Sequence, residues 1–220
     1  MKTTKRSTVK RVPKRGHYDK KTLYGVLDQN HICHVGIIHN NHPVVIPILY
    51  GRFEDSLYLH GATVSRLMSE LEKEIELSIS IAKTKGLVLA RSAFHHSLNY
   101  ESVVIFGKGR LISDDSKKTS ALKSISDHLI PGRWEEVRQP TTKELKATKV
   151  ISISLNEAST KIRTGGPIDD KADYDLDIWA GEVPIVQQYG IPIADPKLSS
   201  KIQNLPNSVK QLLNPKSPKS

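Results

Sequence analysis

Short β-type runs separated by tight polar turns are the feature that most restricts the fold of this chain. Three such runs cover residues 31–39, 44–50 and 56–60, and the turn Asn40-Asn41-His42-Pro43 joins the first to the second. Connections this short can join only neighbouring antiparallel strands, because parallel strands need a crossover of about a dozen residues or more. The first third of the sequence therefore predicts an antiparallel meander.

Helical spacing of apolar residues interrupts the strands at four places. The helices predicted from it cover residues 21–27, capped by Asp19, then 65–74, 115–129 and 142–148, the last capped by Thr141 or Thr142. Further β-type runs cover 75–83, 86–90, 103–113 and 150–155. About six antiparallel strands with helices between them predict a mainly β fold with some helix (α+β), a small barrel with helices at its rims.

A barrel this narrow is filled by its own side chains, since only larger barrels enclose a roomy interior. A ligand would therefore bind on the outside of the barrel, in a groove, or between two copies of the chain.

The net charge of +10 is concentrated at the two ends of the chain. Residues 1–21 hold nine Lys or Arg and one Asp, and residues 197–220 hold five Lys and no acid, so the part between is mildly acidic. A nucleic-acid-binding surface on the folded part is therefore not expected. The composition predicts a basic, disordered tail over 1–21, a folded domain over 22–185 and a second basic, disordered tail over 186–220.

No apolar run approaches the roughly 20 residues that cross a bilayer, and the basic N-terminus lacks the apolar core of a secretory signal. A mitochondrial presequence is the alternative for that terminus, although it has no clear amphipathic face. Cys33 is the only cysteine, which excludes an intrachain disulfide and a cysteine-based zinc cluster. The sequence thus favours a cytoplasmic protein without a membrane segment.

Residues 60–66, between the third β-type run and the helix that follows it, contain groups that could bind a phosphate. His60-Gly61 ends the strand, and Ser65-Arg66 opens a predicted helix. Free backbone N–H groups at such a junction favour an anion, a serine adds a hydroxyl, and an arginine adds a fork of donors. The alternative is a capped surface helix with a solvated arginine, and spacing alone favours that alternative.

This stretch resembles the strand–turn–helix of the pyridoxamine 5'-phosphate oxidase family of FMN-binding split barrels, and its nitroimidazole-resistance branch in particular. The strand 43–50 and the stretches 87–104, 143–148, 161–165 and 179–181 are similar to that branch as well. The resemblance spans most of the chain, in the family's order. It implies a split-barrel fold, FMN as cofactor, a small-molecule substrate and a homodimer with FMN at the subunit interface.

The resemblance also implies roles for individual residues. Along the flavin ring the cofactor-binding residues would be Val45, Ile46, Pro47, Ile48 and Tyr50, mostly through main-chain groups. His60 and Gly61 would lie near the ring, and Ser65 and Arg66 would bind the phosphate. Ser102 and Trp179 are the other two expected cofactor-binding residues. The candidate catalytic residues are His60, Arg91, His95 and His96, which could orient an anionic substrate or donate to a reduced flavin.

Three positions depart from the oxidase itself. Val45, Leu67 and Ser102 stand where the oxidase has an arginine, a basic residue and a glutamine. The resemblance therefore favours flavin binding over oxidation of pyridoxamine phosphate.

Alternatives stay open for the histidines and for the function. The adjacent pair His95-His96 is a poor metal site, because neighbours on a strand point to opposite sides, and no metal ion is expected. The sequence favours an FMN-dependent oxidoreductase acting on an unidentified small molecule. The alternatives are a non-catalytic flavin-binding or sensing protein, a haem-binding split barrel with His95 or His96 as the iron ligand, and a deazaflavin in place of FMN.

Overall fold

The structure of the protein is a computed structural model that describes residues 3–214. Nine strands lie in this range: β1 Gly16–His17, β2 Ile32–His39, β3 His42–Phe53, β4 Ser56–Ala62, β5 Glu76–Leu89, β6 Ser97–Leu111, β7 Thr148–Ser154, β8 Ala158–Arg163 and β9 Gly181–Pro184. The α-helices of the same range are α1 Lys20–Leu27, α2 Arg66–Leu71, α3 Asp115–Leu129, α4 Thr142–Ala147 and α5 Asn207–Leu213.

Six strands form a closed ring in the order β6-β7-β4-β3-β2-β5, and antiparallel pairing of β5 with β6 closes it. Every pairing in the ring is antiparallel. The prediction of a mainly antiparallel fold of about six strands, with a few helices, is confirmed.

Alternation along the strands decides which side chains fill the ring. In β2, Cys33, Val35 and Ile37 are buried, and in β4 Leu57 and Leu59 are fully buried. Their neighbours in the sequence, including His60, therefore point to the outer face. Burial raises the pKa of the Cys33 thiol to about 12, which confirms that this cysteine is an inert part of the core.

Strands β5 and β6 continue beyond the ring as a long hairpin. The two predicted runs 75–83 and 86–90 are one strand, β5, because an irregularity between Thr84 and Gly86 shifts the register without ending the pairing. On this extension β6 pairs with β8, β8 pairs with β1, and β5 pairs with β9. The sequence analysis missed β8 and β9, since both are short and lack clear alternation.

Helix α3 lies across the outer face of β3 and β4. Its bounds are those predicted from the sequence, because Asp114 caps it at Lys117 N and the polar turn at Pro131-Gly132 follows it. The predicted caps of two other helices are also confirmed: Asp19 accepts from Thr22 N, and Thr141 forms a capping box with Glu144.

The two ends of the chain contact the folded part. Arg6 pairs with Glu76 and Glu157, and Ser208 in α5 donates to Glu136. Residues 186–206 contain neither helix nor strand; the mobility predicted for both ends stays a prediction. None of the helices in the range that the structure describes is long and apolar enough to span a membrane.

Candidate functional site

A cavity of about 410 Å³ lies beside the contact between α3 and the outer face of the ring, and His60 lines it. Apolar side chains form most of its wall: Leu49 of β3, Leu122, Ile125 and Leu129 of α3, and Trp134. Arg138, Glu144 and Thr148 are its polar residues beside His60 and Ser126. A mostly apolar cavity of this size with a few converging polar groups is the usual form of a cofactor or small-molecule site.

The imidazole of His60 is the unusual group in this wall. Its Nδ1 is buried and has no hydrogen-bond partner among the described residues. Burial lowers the pKa of His60, so the ring is neutral at pH 7 and keeps a lone pair. A buried nitrogen without a partner costs free energy, and such groups are rare unless a ligand satisfies them.

A bidentate ion pair flanks the same cavity. Arg138 donates to both carboxylate oxygens of Glu144, at 2.9 and 2.8 Å. The hydrogen bonds from Arg138 and from Thr141 hold the pKa of Glu144 down to about 2. The guanidinium is therefore fixed at the cavity that His60 also lines.

A larger groove of about 1060 Å³ opens on the other side of α3, next to Tyr58 and Arg110. Two of its cations are already paired, Arg52 with Asp28 and Lys123 with Asp127. Asp127 Oδ1, in the lining of this groove, is also buried without a hydrogen-bond partner, but it belongs to a carboxylate that already pairs with Lys123, whereas His60 offers an uncharged imidazole nitrogen to an apolar cavity.

The strands β3 and β4 diverge next to the cavity. They pair only between Tyr50↔Leu59 and Phe53↔Ser56. Beyond that pairing β4 continues along β7 through Ala62, and β3 continues along β2 back to His42. One edge of residues 43–49 therefore presents main-chain groups that no described strand pairs with. This geometry is suitable for the main-chain contacts to a flavin that the sequence analysis expects from Val45 to Ile48.

The side chains of β3 divide between the two faces. Ile46 and Ile48 pack against the core, and Tyr50 is fully buried and donates to Leu27 O at 2.6 Å. Val45, 65% exposed, and Pro47 point outwards. Tyr50 lies outside the free edge, because its hydroxyl donates to Leu27 O, its backbone N donates to His31 O, and it pairs with Leu59 of β4.

The predicted phosphate residues lie directly after β4. Ser65 is the N-cap residue of α2, but its side chain makes no capping hydrogen bond. Arg66 is exposed and forms no ion pair among residues 3–214. Gly61 is needed here for space, because a Cβ would fall 2.9 Å from Cγ of Met68. The hydroxyl and the guanidinium are both available to an anion.

The remaining predicted catalytic residues form a second cluster. Arg91 donates through its backbone N and its side chain to Asp169, at 3.0 and 3.2 Å. His95 lies 3.4 Å from a carboxylate oxygen of Asp170. His96 is exposed, and its Nδ1 accepts from Ala90 N. The sequence analysis missed Asp169 and Asp170, which are more than 70 residues away along the chain.

Within one chain the two clusters are far apart. The turn with Arg91, His95 and His96 precedes Ser97, the first residue of β6, whereas His60 pairs with Val150 near the last residue of β6. Fifteen residues of strand at about 3.3 Å each separate the two ends by roughly 45 Å. A single chain therefore does not bring all four predicted catalytic residues to one site.

The other two predicted cofactor residues lie on the extension. Ser102 donates to Lys161 O, and the Trp179 ring, 66% exposed, packs against Gly181. The stretch 161–165 has a structural role that the sequence did not reveal. Arg163 is buried, donates to Asn99 and to the carbonyls of Gly165 and Gly166, and so shapes the turn that follows β8.

The chain matches one protein-family model and several solved structures. A family model described as Pyridoxamine 5'-phosphate oxidase matches residues 19–162. The structure of the flavocytochrome Anf3 from Azotobacter vinelandii has 38% sequence identity and a TM-score of 0.89, covering 95% of this chain and 97% of that one. The FAD and heme binding protein from Mycobacterium smegmatis has 33% identity and a TM-score of 0.87, covering 90% and 97%.

A protein from Bacteroides thetaiotaomicron assigned to 5-nitroimidazole antibiotic resistance covers 67% of this chain and 86% of that one. At 24% identity and a TM-score of 0.57 it supports the fold alone. Comparison with curated proteins found no match. Since the family model covers more than half of the chain and two relatives exceed 30% identity over most of it, the chain belongs to the flavin-binding pyridoxamine 5'-phosphate oxidase family.

Proposed function

We propose that this protein is a redox protein that binds a flavin nucleotide and a haem. The observation that carries the proposal is the buried Nδ1 of His60, which lacks a partner and lies in an apolar cavity. Both relatives above 30% identity support it, since one is called a flavocytochrome and the other an FAD and heme binding protein.

The residues around His60 fit a haem. A neutral imidazole is a common iron ligand, and apolar walls such as Leu122, Leu129 and Trp134 suit a porphyrin face. Arg138 lies at the edge of the cavity, but it already pairs with both oxygens of Glu144, so a porphyrin carboxylate would compete with Glu144 for its guanidinium. His60 thus replaces His95 and His96 as the histidine assigned to iron, because their nitrogens are near Asp170 or bonded to Ala90 N.

The diverging strands fit a flavin. The free edge of residues 43–49 would contact the ring, and Ser65 with Arg66 would hold the phosphate. The sequence analysis expects FMN. The name of the relative from Mycobacterium smegmatis favours FAD, whose flavin half carries a phosphate at the same position. Pro47 and Leu49 are on the same face of β3, so the two proposed cofactors would be neighbours.

The chemistry when both groups are bound would be electron transfer between flavin and haem, with a reduced small molecule as the donor and oxygen or another small molecule as the final acceptor. The residues of this chain bind and orient the groups. The apolar wall excludes water, and Arg66, which forms no ion pair among the described residues, supplies positive charge for a phosphate. We place the protein in the cytoplasm, on the evidence of its single, buried cysteine.

We also propose a homodimer with the flavin at the subunit interface. The C-terminal arm, residues 185–205, exposes Val186, Ile191 and Ile193 at 80%, 93% and 96%. Apolar side chains as exposed as these usually mark a protein–protein interface. A dimer would also allow Arg91, His95 and His96 of one chain to approach the flavin of the other.

The visible spectrum of the purified protein tests the proposal. We expect a Soret band together with flavin absorbance, and chromatography of the denatured supernatant then distinguishes FMN from FAD. Flavin absorbance without a Soret band, also after addition of haemin, would leave the simpler flavin oxidoreductase of the sequence analysis. A protein that takes up neither group contradicts both.

A further inference from the structure

We infer that His95, Asp170 and Asp173 form a binding site for a divalent transition-metal cation, with Zn²⁺ as the best fit. One ligand atom of each residue lies within 4.8 Å of the others. The site lies at the outer end of the β5–β6 hairpin, on the extension of the sheet and outside the ring that carries His60.

The local backbone explains why the two carboxylates lie side by side. Residues 171–175 form a 3-10 turn, in which side chains three positions apart are eclipsed. Asp170 is the N-cap residue of this turn, and Asp173 N donates to its carbonyl at 2.9 Å. The Asp170 side chain makes no capping hydrogen bond, so its carboxylate is available to a cation.

A separate carboxylate aligns the turn with the histidine. Asp169 accepts from the backbone N of Arg91 at 3.0 Å and of Ser92 at 3.4 Å, and from the Arg91 guanidinium. Ser92 in turn caps the short turn Ala93–His95. Asp169 and Ser92, which are not ligands themselves, thus help to position the three ligand residues, as residues that support a metal site usually do.

The charges in the cluster favour a cation. Asp170 and Asp173 are two anions at close range, and within residues 3–214 neither forms an ion pair with a lysine or an arginine. The basic side chain in contact with them is His95, whose Nε2 lies 3.4 Å from Asp170, and the neighbouring Lys171 pairs with neither carboxylate. A bound dication would remove the repulsion between the carboxylates and would use the imidazole as a neutral ligand.

The ligand set determines the class of metal. One imidazole and two carboxylates suit Zn²⁺, with water in the remaining position, whereas Ca²⁺ and Mg²⁺ prefer oxygen ligands alone. Mn²⁺ would bind more weakly than Zn²⁺ at the same ligands. The sequence did not indicate this site at His95, because Asp170 and Asp173 follow β8 and are more than 70 residues away along the chain.

Isothermal titration of the full-length protein, as purified, with ZnCl₂ tests the inference. We expect one Zn²⁺ per chain at these residues, an at least tenfold loss of affinity in Asp170→Asn and in His95→Ala, and loss of that equivalent in the triple variant His95→Ala/Asp170→Asn/Asp173→Asn. Asp175→Asn, an exposed acid of the same turn, is the matched control and should bind as the wild type does.

Hydrogen exchange gives a second measurement that does not depend on stoichiometry. Zn²⁺ should slow amide exchange in residues 91–95 and 169–175 together, and should have no such effect in the triple variant. The side chain of Asp170 is 83% exposed, so its substitution keeps the fold and tests the ligand itself. Equal Zn²⁺ affinity in the wild type, Asp170→Asn and the triple variant would overturn the inference.

Discussion

Gly51 of β3 lies directly beneath Ile125 of α3: a Cβ at Gly51 would fall 2.5 Å from the Cα of Ile125. Real Cβ atoms do not approach a backbone atom this closely, so the absence of a side chain allows α3 to lie on the sheet. Ile125 also lines the cavity of His60, and the depth of that cavity therefore depends on this contact.

Gly51→Ala should lift α3 away from the sheet. Overpacking of this kind costs about 1–3 kcal/mol of unfolding free energy, and haem affinity should fall with it. Gly25→Ala is the matched control, because Gly25 is exposed in α1 and no described atom beyond its own helix backbone and chain neighbours lies within 4 Å of the added Cβ; it should stabilise the protein by about 0.5–1 kcal/mol. Chemical denaturation measures both, and equal stability of the two variants would contradict the packing argument.

His60→Ala should remove the proposed iron ligand and leave the flavin site intact. We expect at least a tenfold loss of haem affinity with flavin content unchanged, measured by haemin titration and absorbance. External imidazole should restore part of the Soret band. His42→Ala, at the exposed first position of β3, is the control. A variant that still holds haem as tightly as the wild type would exclude His60 as the ligand.

Arg66→Ala should weaken the flavin nucleotide much more than riboflavin, which has no phosphate. Charge-assisted hydrogen bonds contribute about 1.5–3 kcal/mol, so a loss of roughly tenfold to a hundredfold is expected for the nucleotide. Flavin fluorescence quenching measures both ligands. Arg11→Ala, another exposed arginine, should change neither. Equal losses for riboflavin and the nucleotide would show that Arg66 does not contact the phosphate.

The stability of the protein should fall as the pH drops below about 6.5, the usual pKa of histidine. Burial lowers the pKa of His31 and of His128 in the folded state. The charge of His128 lowers the pKa of His31 further. Below about pH 6.5 the unfolded chain binds protons at these histidines that the folded chain does not bind, and this favours unfolding. His128→Gln should flatten the decline measured by thermal unfolding between pH 7 and 5; His42→Gln should leave it unchanged.

The C-terminal arm should be required for the dimer. Ile191→Asp/Ile193→Asp should raise the dimer dissociation constant more than tenfold, since each buried isoleucine contributes about 1.5–3 kcal/mol. Gln187→Asp/Gln188→Asp adds the same charge to the same arm and is the control. Sedimentation equilibrium distinguishes them. A dimer that is equally stable in both variants would place the interface elsewhere.

Local signals in the sequence predicted the parts of the fold that depend on neighbours in the chain. The apolar spacing of α3 and the capping side chains of Asp19 and Thr141 are of this kind, and all were confirmed. The family, too, was predicted correctly from the ordered stretches of sequence.

The parts that were missed depend on residues far apart in the chain. Alternation along β4 could place His60 on the outer face, but only the packing of α3 on that face leaves its nitrogen without a partner. Asp169 reaches Arg91 across 78 positions, and no spacing in the sequence indicates that pairing. His60 and His95 were both predicted as catalytic residues, but the length of β6 separates them within one chain.

The closed ring also has a consequence for synthesis on the ribosome. β7 is the last ring strand to emerge, and it pairs with β4, which ends at Ala62, and with β6. Until residue 154 is available, β4 and β6 have unpaired edges, which are templates for aggregation. Nascent chains and truncations that end before Leu155 should therefore depend on chaperones, whereas chains that include β7 can close the ring themselves.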